Sequence, residues 1–266
     1  MLTVEQRDEF DRCGMLRLAG AIARTDTDKM CNSVWNALGR HYDIRRDDPD
    51  TWEGRRITGM HDLPKSETFA QVGSPQVREA LDDLLGRRNW EAPERWGSLL
   101  VAFPESREPW TVPHQGWHLD FPATRSLQGL FAVRIFTCLA KLPAGGGGTL
   151  FVAGSHRLVD GLARRENVEK LKSGDARKAL VRSCPWVAAL CSADGGDGRV
   201  HRFMERIETI DDAELRVVQM TGEPGDVLLT HPYLLHAVAT NCSSGPRIVL
   251  SSSVYRSGVN WASAYR

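Results

Sequence analysis

This sequence has no C-x-x-C pair, no apolar run of membrane length, no internal repeat and no surplus of either charge. Each absence excludes something. Among its 266 residues, 34 are Lys or Arg and 34 are Asp or Glu, so the formal net charge is zero. Bulk charge therefore points to no nucleic-acid partner and no anionic membrane surface. The six cysteines, at 13, 31, 138, 184, 191 and 242, follow no zinc-site or disulfide-framework spacing. They are expected to be reduced thiols in a cytoplasmic protein. The opening MLTVEQRDEFDRCG is charged and amphipathic, unlike a secretory signal. LFAVRIFTCLAKL is interrupted by Arg134 and falls short of the ~20 apolar residues that a membrane helix needs.

What is present divides into two regions. The first third reads as mostly helical. Thr3 and Gln6 have capping-box spacing, Gly14 is placed to end that helix, and MLRLAGAI reads as a short strand. Asp26 or Thr27 is placed to cap a second helix running through His41. Pro75, the stripe Val77, Leu81, Leu84 and Leu85, and then Gly86 mark a third helix over 74–85. From about residue 97, β-type runs alternate with turns: GSLLVAF, GWHLDF, QGLFAVRIFTCLAKL, GTLFVA, LRVVQM, GDVLLTH, LLHAVAT and RIVLSSSVY. Roughly eight strands is the count of a jelly-roll or double-stranded β-helix. An insertion at about 157–213 separates the fourth run from the fifth. It holds an expected helix over 159–171, then SGDARKALVRS, then a flexible SADGGDGR. Such an insertion serves as a lid, a substrate wall or surface padding.

The chemistry is concentrated in the β region. His118-Leu-Asp120, if on a strand, places an imidazole and a carboxylate on one face. His236 is a third donor from a distant run, and Arg247 follows it in GPRIVLSSSVYR. Two His and one carboxylate bind Fe(II) and leave open positions that a 2-oxo acid and O2 can take. An arginine fork suits the distal carboxylate of such a co-substrate. A second H-x-D, His41-Tyr42-Asp43, falls at the end of a predicted helix, where i and i+2 diverge, and is expected at the surface. His114 and His231 are expected to serve structural or supporting roles rather than to bind metal. Arg134 shares a strand face with Phe136. It is expected to meet a substrate anion, an internal acid or solvent, because an unpaired buried charge is costly. Trp110, Trp117 and Phe121 flank the H-x-D loop, to line a substrate pocket or to pack.

WHLDFP (117–122), GGGGTLFVAGSHRLV (145–159), GEPGDVLLTHPYLLHAVATN (222–241) and Arg247 together resemble the Fe(II)/2-oxoglutarate-dependent oxygenases of the phytanoyl-CoA dioxygenase type. The resemblance spans about 5–20 and 97–256. It implies a mainly β fold with a helical layer: a cupin-like double-stranded β-helix, N-terminal helices and an inserted helical lid. The whole of 1–266 would be one domain, with a helical part over 1–96 and a β core over 97–156 and 214–256. The resemblance makes His118, Asp120 and His236 the metal ligands, puts Arg247 on the 2-oxoglutarate C5 carboxylate, and has Phe136 line the co-substrate pocket. His156, in GSHR, would be a structural turn residue. Two positions depart from the pattern: Val238, where the family often has Ser, and Ala153, where it often has Pro. Thr149 is the substitute for the missing hydroxyl. The implied function is oxidation of an unactivated C–H bond of a small molecule in secondary metabolism, with succinate and CO2 as co-products. The alternatives are a cupin-like metal-dependent isomerase or hydrolase that uses no 2-oxoglutarate, and a catalytically silent binding module. No nucleic-acid or membrane partner is implied. Neither substrate nor oligomeric state is legible.

Overall fold

The computed structural model describes residues 1–259 except 54, 56, 58, 59, 106–108, 126–128 and 195, with the backbone alone at 197. The N-terminal part runs α1 (Val4–Cys13), β1 (Met15–Leu18), α2 (Arg24–Tyr42), a single turn α3 (Glu67–Ala70) and α4 (Pro75–Leu85). The expected caps hold at α1 and α4. Thr3 and Gln6 form a reciprocal capping box, and Gly14 ends α1 in the left-handed region at φ 74. Ser74 caps α4, with Pro75 in its first turn. The second helix starts earlier than its sequence suggests. α2 begins at Arg24 with Ala23 as an N-cap that lends no side chain, and Thr27 bonds back to the Ala23 carbonyl inside the first turn.

The β region comprises β2 (Ser98–Ala102), β3 (Ala123–Thr124), β4 (Ala132–Cys138) and β5 (Leu150–Ala153). The insertion contributes α5 (Ser155–Val159), α6 (Leu162–Arg165), β6 (Lys170–Leu171), α7 (Ser173–Ser183), α8 (Pro185–Leu190) and β7 (Glu208–Ile210). β8 (Ala213–Gln219), β9 (Val227–Thr230), β10 (His236–Ala237) and β11 (Arg247–Tyr255) complete the order. Two antiparallel sheets result, ordered β1-β9-β4-β11-β2 and β10-β5-β8-β7, with β3-β6 as a separate ribbon. They face each other without closing into a barrel. The sheet-rich, cupin-like fold with helices is therefore the expected one. No helix among the described residues is long and apolar enough to cross a membrane.

The two-residue period of the strands sorts the core into layers. Outward-facing Val133, Ile135, Val227, Leu229, Ile248 and Leu250 of the five-stranded sheet pack on Met30, Val34, Leu38, Val77 and Leu81 of the helices. Between the sheets lie Met15, Phe136, Cys138, Phe151, Met220 and Val249. Behind the four-stranded sheet, Leu150, Val152, Val217 and Ala237 pack on Leu162, Ala176, Leu180, Trp186 and Phe203 of the insertion.

Two expectations for local structure are corrected. The helix expected over 159–171 is broken into α5, α6 and β6, because Gly161 at φ 75 and Asn167 at φ 53 leave the right-handed region. GWHLDF is not a regular strand. Gly116, at φ 81, and Pro122 bracket it, and it meets the four-stranded sheet through one isolated bridge, His118 with His236. That single bridge is enough to bring the two histidines together.

Candidate metal centre

Three side chains converge at the edge of the four-stranded sheet. His118, Asp120 and His236 each offer a ligand atom, and these atoms lie within 4.8 Å of one another. His118 Nε2 is 3.8 Å from Asp120 Oδ1, and His236 Nε2 is 3.3 Å from Asp120 Oδ2. The two imidazole centroids are 4.1 Å apart.

The backbone sets the tautomers. His118 Nδ1 meets the Gly116 carbonyl at 2.8 Å, and His236 Nδ1 meets the Leu234 carbonyl at 2.9 Å. A carbonyl can only accept, so each Nδ1 carries a proton, and each Nε2 is the ring nitrogen that faces Asp120 and is left for a metal. Burial, then the neighbouring His236, lowers the His118 pKa and keeps it a neutral donor. Burial alone would raise Asp120, but His236 and the charge of Arg134 outweigh it and bring its carboxyl down to about 2. Two imidazoles and a carboxylate are the donor set that a divalent iron ion requires, so the residues fit the metal.

Arg134 interrupts an apolar run because strand alternation turns it inward, beside Phe136. Its guanidinium forms an ion pair with Asp120, and Nη2 donates to Ser251 Oγ at 2.8 Å. Of the three fates open to it in the sequence, the internal acid is the one found. Arg247 begins β11 on the same inner face as Val249 and Ser251. It is buried, its Nη1 donates to the Gly147 carbonyl at 2.6 Å, and its Nε has no partner among the described residues. Burial lowers its pKa. Gly147 sits at φ 75, where a Cβ would lie 2.9 Å from Asn241 Cβ, so the turn that supplies this carbonyl needs glycine. A buried guanidinium satisfied by one neutral carbonyl calls for an anion, and a co-substrate carboxylate fits.

Phe136 stands edge-on to Phe151 at 5.3 Å, and Phe151 stacks on His236 at 5.9 Å. Thr149 is buried and shares the inner face with Phe151. Val238 is 61% exposed, one step beyond the Leu150–Ala237 pair. The other sequence candidates do not join this cluster. His41 and Asp43 lie at the C-terminal end of α2, outside the cluster. His156 and His231 lie behind α1 with their rings tilted against each other, centroids 4.8 Å apart. Phe121 packs edge-on against Phe131 and Tyr255. Trp117 is buried and donates from Nε1 to the Pro113 carbonyl at 2.8 Å.

Sequence reasoning missed Arg199, which closes the stretch read as flexible. It is buried, and its guanidinium donates to five carbonyls, those of Val112, Pro113, Leu190, Ser192 and Asp194. It thus fastens the insertion to the segment leading into His118. No motif marks it; five neutral acceptors on one arginine are a product of the fold.

A family model described as phytanoyl-CoA dioxygenase (PhyH) matches residues 10–249. The chain belongs to the phytanoyl-CoA dioxygenase family. It is accordingly a 2-oxoglutarate-dependent oxygenase-type enzyme working with iron, 2-oxoglutarate and O2, and the reading without 2-oxoglutarate falls away. No curated protein matches it by sequence. Among solved structures, HygX from Streptomyces hygroscopicus with nickel and 2-oxoglutarate bound is 17% identical, at a TM-score of 0.55 over 98% of this chain and 90% of that one. AviO1 from Streptomyces viridochromogenes Tue57 is 16% identical, at 0.55 over 97% and 98%. The non-heme alpha ketoglutarate dependent carbocyclase SnoK from nogalamycin biosynthesis is 17% identical, at 0.51 over 97% and 88%. At these identities the likeness concerns the fold.

Proposed function

We propose that this family member oxidises an unactivated C–H bond of a small molecule, with His118, Asp120 and His236 as its iron ligands. The observation that carries the reading is the convergence of two Nε2 atoms and one carboxylate within 4.8 Å. When bound, iron with 2-oxoglutarate and O2 supplies the oxidising power, with succinate and CO2 as co-products. The chain's own part is positioning. The Gly116 and Leu234 carbonyls hold the imidazoles in the donor tautomer. Arg134, braced by Ser251, orients Asp120. Arg247 takes the far carboxylate of 2-oxoglutarate, with Phe136 and Thr149 beside it on the inner faces. The apolar layer of Phe136, Phe151 and Val249 keeps water from beneath the site.

Residues 1–266 act in this reading as one oxygenase domain, with 157–213 inserted as a wall over the H-x-D segment. Six free thiols support a reducing, cytoplasmic setting. HygX and SnoK, the latter named for a natural-product pathway, support a small-molecule substrate in secondary metabolism. The test is anaerobic titration of Fe(II) into apo-protein with 2-oxoglutarate, following the weak visible charge-transfer band. A band lost in His118→Ala and weakened in Arg247→Ala is expected. Folded, iron-loaded protein without the band would remove the reading.

A further inference from the structure

A cavity of ≈ 480 Å³ opens beside the cluster, within the range that holds drug-sized ligands. Its walls come from two sources. The H-x-D segment gives His114, Gln115, Trp117 and His118, and the insertion gives Arg177 of α7 and Cys191. His118 belongs to both the cavity and the cluster, so a molecule held here lies next to the metal ligands. Among the described residues, no acidic side chain lines the cavity. Arg177 is the cation that the insertion brings to this lining. Lys178 pairs with Asp175, Arg182 with Glu166, and Arg199 is saturated by carbonyls. Arg177 touches the Cys191 thiol, a weak acceptor, and pairs with no carboxylate among the described residues. Arg247, the anchor assigned to 2-oxoglutarate, is not in this lining.

We propose that this enzyme takes an anionic small molecule, a carboxylate or a phosphate, and that Arg177 is the residue that selects it. The inference rests on the metal-site reading above. The site then has two cationic anchors on separate walls, Arg247 for the co-substrate and Arg177 for the substrate. A planar guanidinium recognises either anion through paired N–H donors, which a neutral isostere cannot match.

The experiment uses anaerobic protein loaded with Fe(II) and saturating 2-oxoglutarate, which occupies the Arg247 anchor. Benzoate, phenyl phosphate and neutral benzamide are the probes. Line-broadening of their proton resonances by the iron reports binding beside the cluster. Benzoate or phenyl phosphate should broaden saturably and benzamide should not. Arg177→Gln should weaken the anion by on the order of tenfold or more, and Arg177→Lys by less. Equal broadening by benzamide, no broadening by either anion, or an unchanged response in Arg177→Gln would overturn the proposal. The visible band of the same samples separates the two readings. If the wild type lacks it, the metal-site reading fails; if it is present and the anions behave like benzamide, only this inference fails.

Discussion

Among the described residues, two pairs of histidines lie with their rings tilted against each other, and only one of them has the make-up of the proposed metal site. His118 and His236 have centroids 4.1 Å apart; His156 and His231 have centroids 4.8 Å apart. Proximity alone does not distinguish them. Three features do. The first pair shares Asp120, whereas among the described residues no carboxylate completes a three-residue cluster with the second. Both Nδ1 atoms of the first pair donate to carbonyls, leaving both Nε2 atoms for a metal. In the second pair, His231 Nδ1 accepts from the Tyr233 backbone N–H, and His156 Nε2 meets the Asp11 carbonyl. One of those nitrogens is spent on holding His156 to α1 and the other on closing the turn after His231. Finally, the His118 side chain is 46% exposed and faces the cavity, which gives a ligand a way in. A metal site thus needs the carboxylate, the free lone pairs and the entry path, not just two imidazoles.

The largest effect should follow from removing the feature that only the first pair has. Asp120→Ala leaves two imidazoles, which makes the first pair resemble the second. Iron affinity should then fall by more than the roughly 100-fold that an outer contact is worth. Calorimetric titration with Fe(II) or Mn(II) measures it, and near-wild-type affinity would show that the carboxylate is not a ligand. A smaller loss is expected from Arg134→Leu, which removes the group that orients Asp120 while keeping all three ligands. Metal affinity should drop roughly 10–100-fold, with the unfolding midpoint little changed. If the band energy and affinity both match the wild type, Arg134 has no part in positioning.

The comparison also shows how far sequence could go. The β runs, the capping of α1 and α4, and the inward turn of Arg134 follow from two-residue periods and turn chemistry, which are local. His118, Asp120, His236 and Arg247 could be picked out because their order and spacing carry the chemistry. The broken helix at Gly161 and the single bridge at His118 were not legible, since each depends on what packs against it. The five carbonyls around Arg199 come from 112–113 and 190–194, segments far apart in the chain. Nor does sequence spacing show that Arg177 reaches the same cavity as His118. Such contacts are made by the tertiary fold, and periodicity is blind to them.

The smallest expected effect concerns the second pair and is read in stability. Burial lowers His156 to about 4, and burial followed by the charge of His156 pushes His231 well below its ordinary value. Gly14, where a Cβ would lie 2.5 Å from His156 Nδ1, shows how tightly this pair is enclosed. In the unfolded chain each imidazole titrates near pH ~6.5. Between that value and about 4, the unfolded state binds protons that the folded state refuses, so stability is present above this window and lost as pH falls through it. Asp120 has the same arrangement, with the folded state refusing a proton that the unfolded chain accepts, but lower on the pH scale: its contribution is lost only as the carboxyl protonates toward about 2. The two windows therefore separate. At pH 5.5, one unit under the unfolded value, His156 should account for roughly 1.4 kcal/mol of lost stability. His156→Gln can keep the contact with the Asp11 carbonyl and cannot titrate, so its urea midpoint should fall less steeply between pH 6.5 and pH 4, while metal binding at pH 7.5 stays as in the wild type. An identical pH slope in the variant would mean that the pair is already open to water and does not bind α1 to the β region.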